Sequence, residues 1–231
     1  DANSGQVIVE HNADQQLPPA SLTKMMTAYV LAEEINAGRV SEQDMVRISE
    51  NAWSQNPTFQ GSSLMWIEPG KDVSIADLQR GIIISSGNDA TLAVAEHIAG
   101  TEAVFAEMMN NSAKKLGMES SHYVNSHGLP DPAHKTTARD LAKLAKAMIN
   151  DHPEQYKIYK ELEFTYNNIR QYNRNTLMLS DSSVDGIKTG YTNEAGFCLV
   201  ASAQRRRRSS MEAAALPGAV DEAPATPLQP K

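Results

Sequence analysis

Ser21 and Lys24 stand three residues apart in "LPPASLTKMMTAYV", residues 17–30. On a helix that spacing puts both side chains on one face, within reach of each other. A serine hydroxyl is a weak nucleophile at its free pKa and needs a base. A lysine can be that base once burial or a neighbouring cation lowers its pKa. Ser21 also falls near a helix start, where free backbone N–H groups favour negative charge. One of them could stabilise the oxyanion of an acyl-transfer intermediate. Taken alone the pair reads more readily as a helix cap beside a surface lysine.

Two further groups add weight. Ser86–Gly87–Asn88 falls in a break between two helical patterns, where a tight turn can hold a hydroxyl and an amide toward a cleft. Lys188–Thr189–Gly190 ends the extended run "VDGIKTG". There a lysine and a hydroxyl would flank a groove, and Gly190 would let a substrate backbone approach closely. Each has an ordinary reading too: a turn tripeptide, and an edge-strand lysine before a turn.

The elements that must position these groups follow from periodicity. "GQVIVEH" reads as a strand after the turn "NSG". A helix is expected over residues 21–35, after Pro18 and Pro19 and before Gly38. "SIADLQRGIII" has helical spacing and stops at "SSGN". "DATLAVAEHIAG", "TEAVFAEMMNNSAKKLG" and "TTARDLAKLAKAMIN" read as three more helices, the second opening on a Thr cap and closing on Gly117. The last of them aligns Leu141, Leu144, Ala145 and Met148 on one face. "VDGIKTGYT" and "GFCLVASA" then turn extended. Strands at both ends with helices between predict one sheet built from the two termini, with a helical cluster packed on it, an α/β (α+β) fold.

The whole chain agrees with an ordinary globular protein. It has 231 residues, 41% hydrophobic and 21% charged, with a formal net charge of −7. That balance argues against nucleic-acid binding, which calls for a basic face. No apolar run reaches the roughly 18 residues of a membrane span. The opening "DANSGQVIVEHN" carries no charged-then-apolar signal segment. The one cysteine, Cys198, is expected to be a small buried hydrophobe. Met25, Met26, Met108 and Met109 sit at apolar helical positions and are expected in the core. His122, His127 and His134 lie near Asp131, but their spacing fits no zinc pattern, so no metal is expected. From residue 204 the composition shifts to four arginines and then Ala, Pro, Ser and Glu, which reads as a disordered or non-native tail carrying no strand.

Ser-x-x-Lys, Ser-x-Asn and Lys-Thr-Gly, in this order, form the motif set of serine β-lactamases and penicillin-binding proteins. With "GSSLMW", "SHGLPDP", "IRQYNRN" and "VDGIKTGYTNEAGF" added, the chain resembles the low-molecular-mass penicillin-binding proteins that are D-alanyl-D-alanine carboxypeptidases, of the penicillin-binding protein 5 and 6 type. The likeness runs from about Ser4 to about Ala203, so residues 1–203 are expected to be the catalytic domain. The resemblance implies the penicillin-recognising fold, an antiparallel sheet with a helical subdomain and a cleft at their junction. It implies that Ser21 attacks the bond between the two terminal D-alanines of a peptidoglycan stem peptide while Lys24 takes its proton. Ser86, polarised by Lys188, would relay a proton to the leaving D-alanine. Asn88 would hold the substrate amide and help fix Lys24. Thr189 would bind the substrate carboxylate, and the backbone N–H groups of Ser21 and Tyr191 would form the oxyanion hole beside Gly190. Arg174, in "NRN", would line the site. β-Lactams would acylate Ser21 and leave slowly. No cofactor is implied, and the location would be the bacterial periplasm, at the outer face of the inner membrane.

The sequence departs from that pattern in places. Tyr191 stands where some relatives carry His. After "GFCLVASA" the family continues into another strand, a carboxylate-binding arginine and a closing helix, and "QRRRRSSMEAAALPGAV" matches none of these. The family's β-rich second domain and amphipathic membrane anchor are expected to be absent here. Two rival functions follow. A class A β-lactamase would need a glutamate before Lys-Thr-Gly, for which Glu161 and Glu163 are candidates in a non-matching context. A catalytically impaired fragment that only binds peptidoglycan stems is the other.

Overall fold

The computed structural model describes residues 1–205 and 208–215. Its first regular element is a single 3₁₀ turn, Ala20–Leu22, which runs directly into helix α1, Thr23–Asn36. Every residue of α1 from Thr23 to Ala32 is buried. A helix enclosed on all sides needs no polar stripe, so this one is the central post of the fold rather than a surface helix. Two short strands, β1 (Met45–Arg47) and β2 (Asp72–Ser74), pair antiparallel. Helix α2 (Ile75–Arg80) is capped by Ser74, whose hydroxyl accepts from the Asp77 N–H, and it continues into a π turn over Gly81–Ser85.

Helices α3 (Asn88–Ala99), α4 (Glu102–Lys115) and α5 (Ala138–Asp151) follow the expected spans closely. Thr101 and Thr137 cap α4 and α5 by accepting from Val104 N–H and Asp140 N–H. Each satisfies a backbone donor that the helix start leaves free. Leu141, Leu144, Ala145 and Met148 face the core from α5, as their spacing requires. Met25, Met26 and Met109 are in the same core, with Met108 packed at its margin. A short helix α6 (Pro153–Tyr156), the hairpin β3–β4 (Glu163–Tyr166 and Ile169–Tyr172) and helix α7 (Leu177–Ser180) lead to the main sheet.

That sheet has the order β5–β6–β7, all antiparallel. β5 (Val184–Thr192) and β6 (Gly196–Arg205) form a tight hairpin with Lys188 opposite Val200 and Tyr191 opposite Phe197. Cys198 is buried on β6, as expected of it. β7 (Arg208–Ala215) pairs along β6 from Arg205↔Arg208 to Cys198↔Ala215, and α5 lies against this side of the sheet.

Two expectations are corrected here. Residues 6–10 are not a strand: they join no ladder among the described residues, and Val7, Ile8 and Val9 are 56%, 72% and 86% exposed. A strand is held by its ladder, and apolar character alone cannot hold it. Among the described residues the main sheet is built from strands of the C-terminal part of the chain. Conversely, residues 208–215 do form a strand, where composition suggested none. Pairing with β6 supplies the backbone partners that side-chain alternation does not advertise. The remainder of the expected tail, 206–207 and 216–231, lies outside the described residues.

Candidate active site

The cleft lies where the Ala20–Leu22 turn meets β5. Ser21 sits on that turn, partly exposed, one residue after Ala20, whose φ of +48° is unusual for a side-chain-bearing residue. The first turn of α1 then delivers Lys24 to the same spot, with its Nζ 3.1 Å from Ser21 Oγ. The Lys24 amine is buried and donates to the backbone carbonyl of His127 at 2.7 Å. Burial, aided by the charge of Lys188 and opposed by Asp89, holds its pKa well below the usual lysine range. An amine in that state keeps a lone pair free for a hydroxyl proton.

A second serine–lysine pair faces the first. The π turn over residues 81–85 ends at Ser86, which adopts a left-handed conformation with φ +63°. Lys188 Nζ donates to Ser86 Oγ at 2.9 Å and to Thr189 O at 2.9 Å. Both residues are buried. Burial and the neighbouring positive charge of Arg174 push the Lys188 pKa down to about 7. The Ser86 turn is fixed from behind by Asp89. Its buried carboxylate accepts from the N–H groups of Met65 and Trp66 at 2.8 Å each, Ala90 at 2.9 Å and Ile67 at 3.2 Å. Burial raises the Asp89 pKa against the pull of those four donors. Asn88 N–H reaches Ser63 O at 2.9 Å, so the Ser86 turn and the 63–67 segment are tied twice.

Gly190 closes the front. A Cβ there would stand 3.1 Å from Ser21 N, tighter than most real Cβ contacts, so glycine lets β5 lie close against the Ser21 turn. Thr189 is half-buried and Tyr191 exposed, its ring packed on Phe197 at 4.7 Å. Opposite, a loop over residues 125–129 lies flat on the same turn. A Cβ at Gly128 would fall 1.9 Å from Ala20 O.

Of the sequence candidates, Ser21, Lys24, Ser86, Lys188 and Gly190 are thus joined by direct contacts. Thr189 and Tyr191 flank them, and Arg174 is exposed with its charge felt at Lys188. Asn88 is buried at the edge of the Ser86 turn, but its Oδ1 has no hydrogen-bond partner, so the expected contact with Lys24 is not made. Sequence reasoning missed three contributors. The His127 carbonyl is a backbone group and leaves no mark on residue type. Asp89 follows Asn88 in "SGNDA" and could have been noticed as a carboxylate beside a turn. Glu102 stands in the first turn of α4, where no motif marks it. Of the histidines weighed for metal, His134 is otherwise employed: its Nδ1 accepts from Val124 N–H and its Nε2 meets Thr23 Oγ1 at 2.8 Å. The two glutamates weighed for deacylation pair with arginines, Glu161 with Arg80 and Glu163 with Arg170.

Helices packed on an antiparallel sheet, with a serine–lysine cleft at their junction, define the class of penicillin-binding proteins and DD-peptidases. Comparison with known proteins agrees. The pattern of the D-alanyl-D-alanine carboxypeptidase family, peptidase family S11, matches residues 1–216, and the chain belongs to that family. It is 51% identical over 205 residues to the D-alanyl-D-alanine carboxypeptidase DacC of Escherichia coli, a match covering 88% of this chain and 51% of the relative. The chain thus spans about half the length of the curated relatives it matches. Penicillin-binding protein 5 from Haemophilus influenzae superposes with a TM-score of 0.88 at 44% identity, covering 93% of this chain and 63% of that one. Penicillin-binding protein D2 from Listeria monocytogenes, in its ampicillin-bound form, superposes with a TM-score of 0.77 at 29% identity, covering 92% of this chain and 85% of that one.

Proposed function

We propose that this chain is the catalytic domain of a serine D-Ala-D-Ala carboxypeptidase that trims the terminal D-alanine from peptidoglycan stem peptides and is acylated by β-lactams. The observation that carries the reading is the buried Lys24 amine, its pKa depressed, 3.1 Å from Ser21 Oγ. In this mechanism Lys24 removes the Ser21 proton as Oγ attacks the carbonyl carbon between the two D-alanines. The backbone N–H groups of Ser21 and Tyr191 receive the oxyanion, which the close approach at Gly190 supports. The C–N bond then breaks, and the leaving amine takes a proton from Ser86, whose hydroxyl is recharged through Lys188. Water hydrolyses the Ser21 ester and frees the shortened peptide. Thr189 binds the substrate carboxylate, Arg174 lines the site, and Asn88, with its unpartnered oxygen, accepts from the substrate amide. A β-lactam is opened by the same attack, but its leaving nitrogen stays tethered and the ester persists.

Such a substrate places the enzyme outside the cytoplasmic membrane of a bacterium, in the periplasm. The ampicillin-bound relative supports the inhibitor class. The test is intact mass after mixing with benzylpenicillin, with Ser21→Ala as control. One long-lived adduct, absent from the variant, together with D-alanine release from a stem pentapeptide, is expected. Rapid turnover of the penicillin without a lasting adduct would turn the reading to a β-lactamase. A folded protein with neither activity would leave only a binding fragment.

A further inference from the structure

Lys24 has few fixed partners for a group asked to hold one position. Its amine touches Ser21 Oγ and the carbonyl of His127, and Asn88 Oδ1 makes no bond to it. The placement of the base therefore depends on the 125–129 loop that carries that carbonyl. The loop is pinned at residue 126. The first-turn carboxylate of α4, Glu102, accepts from Ser126 N–H at 2.9 Å and from Ser126 Oγ–H at 2.6 Å. The same carboxylate oxygen lies 3.4 Å from His127 Nε2. His127 Nδ1 accepts from Leu129 N–H, which leaves the proton on Nε2, the ring nitrogen nearer Glu102. From the other side Thr27 of α1 donates to Ser126 O at 2.6 Å. Inside the loop, Asn125 bonds Gly128 N–H and Leu129 O.

We propose that Glu102 is a positioning residue for the general base: by anchoring Ser126 and His127 it holds the His127 carbonyl where it fixes the Lys24 amine against Ser21. The inference rests on the carboxypeptidase reading above and deepens it. Glu102 touches neither substrate nor Ser21, so it acts only through the loop. Releasing the loop would displace the base and admit water beside it. A displaced reacting group costs on the order of 100-fold in rate, and a hydrated amine titrates nearer its ordinary value. The other charged groups facing Lys24 are Lys188, which lowers its pKa, and Asp89, which raises it. His127, its own pKa pushed down to about 3 by burial and by Lys24, stays neutral throughout.

The experiment is the rate of Ser21 acylation by a fluorescent penicillin from pH 5 to 9. It is run on the parent and on Glu102→Ala, Glu102→Gln and Ser126→Ala, each with its melting temperature. Glu102→Ala is expected to slow acylation at pH 7 by about 10- to 100-fold and to move the acid limb of the profile to higher pH. Glu102→Gln, whose amide oxygen still accepts from Ser126, is expected to restore most of the rate. Ser126→Ala is expected to fall between the parent and Glu102→Ala, with the limb displaced the same way. A folded Glu102→Ala with the parent's rate and limb would overturn the proposal. Should that variant not fold, an unmoved limb in Ser126→Ala overturns it instead. A parent that takes up no penicillin at all would defeat the carboxypeptidase reading, a distinct result.

Discussion

The two serine–lysine pairs of the cleft share a chemistry and differ in setting. Ser21 stands on a partly exposed turn that a ligand can reach, whereas Ser86 is buried behind it. Lys24 is fixed by a loop carbonyl from another part of the chain, at 2.7 Å. Lys188 is fixed by the carbonyl of its own neighbour, Thr189. The first pair thus depends on tertiary packing, and the second is largely built by one strand meeting one turn. Both lysines lose their ordinary pKa chiefly through burial, so nearness to serine alone does not decide which acts as base. Access separates them: Ser21 is the more exposed of the two serines, which suits it to the proposed role of nucleophile.

The sharpest way to break that comparison is to remove each lysine. Lys24→Met is expected to lower the acylation rate by roughly 10²–10⁴, the usual worth of a positioned base, and Lys188→Met by clearly less. Equal losses, measured by penicillin uptake over time, would erase the distinction between the two pairs. Next in size is the support of the Ser86 side. Asp89→Asn replaces a carboxylate that accepts four backbone N–H groups with an amide that has one oxygen. It is expected to destabilise the fold by about 2 kcal/mol, read from denaturant midpoints. No change would mean that the 63–67 segment is held by other contacts.

The last comparison concerns pH. The folded-state pKa of Lys188 is near 7 against an ordinary 10.5. Between pH 8 and 9.5 the unfolded chain therefore binds a proton that the native one does not. Stability should rise with pH by about 1.4 kcal/mol per unit from this group. Lys24 contributes with the same sign. Lys188→Met should flatten that rise by about one proton's worth and be more stable than the parent at pH 7, since an amine no longer has to be buried. A slope unchanged by the substitution would place the lysine in water and undo the comparison from the other end.

Much of this arrangement was legible in the sequence, for reasons that differ by element. The helices announced themselves where a cap, a 3.6-residue stripe and a terminal glycine coincide, as in Thr101–Gly117. α1 was found from its flanking prolines and Gly38, although its all-round burial leaves no stripe. The strand β5 was read to the residue, because turns bound it on both sides. Residues 6–10 and 208–215 were misread in opposite directions, since a strand's existence rests on a partner that local sequence does not display. At the site, the serines and lysines of the cleft were visible as motifs. What holds them was not, being largely backbone: the His127 carbonyl and the amides of residues 65–67.

The contact between Gly128 and Ala20 bears on how such a protein can vary over generations. The α-carbon hydrogen at 128 occupies space that no methyl could enter. Every substitution there is closed at once, whatever its polarity, because the obstacle is main chain and has no rotamer to yield. Drift can reshape the nucleophile's neighbourhood in "PASLTK" only as far as a distant glycine permits. The inheritance of one motif is in that sense written at another, more than a hundred positions along the chain.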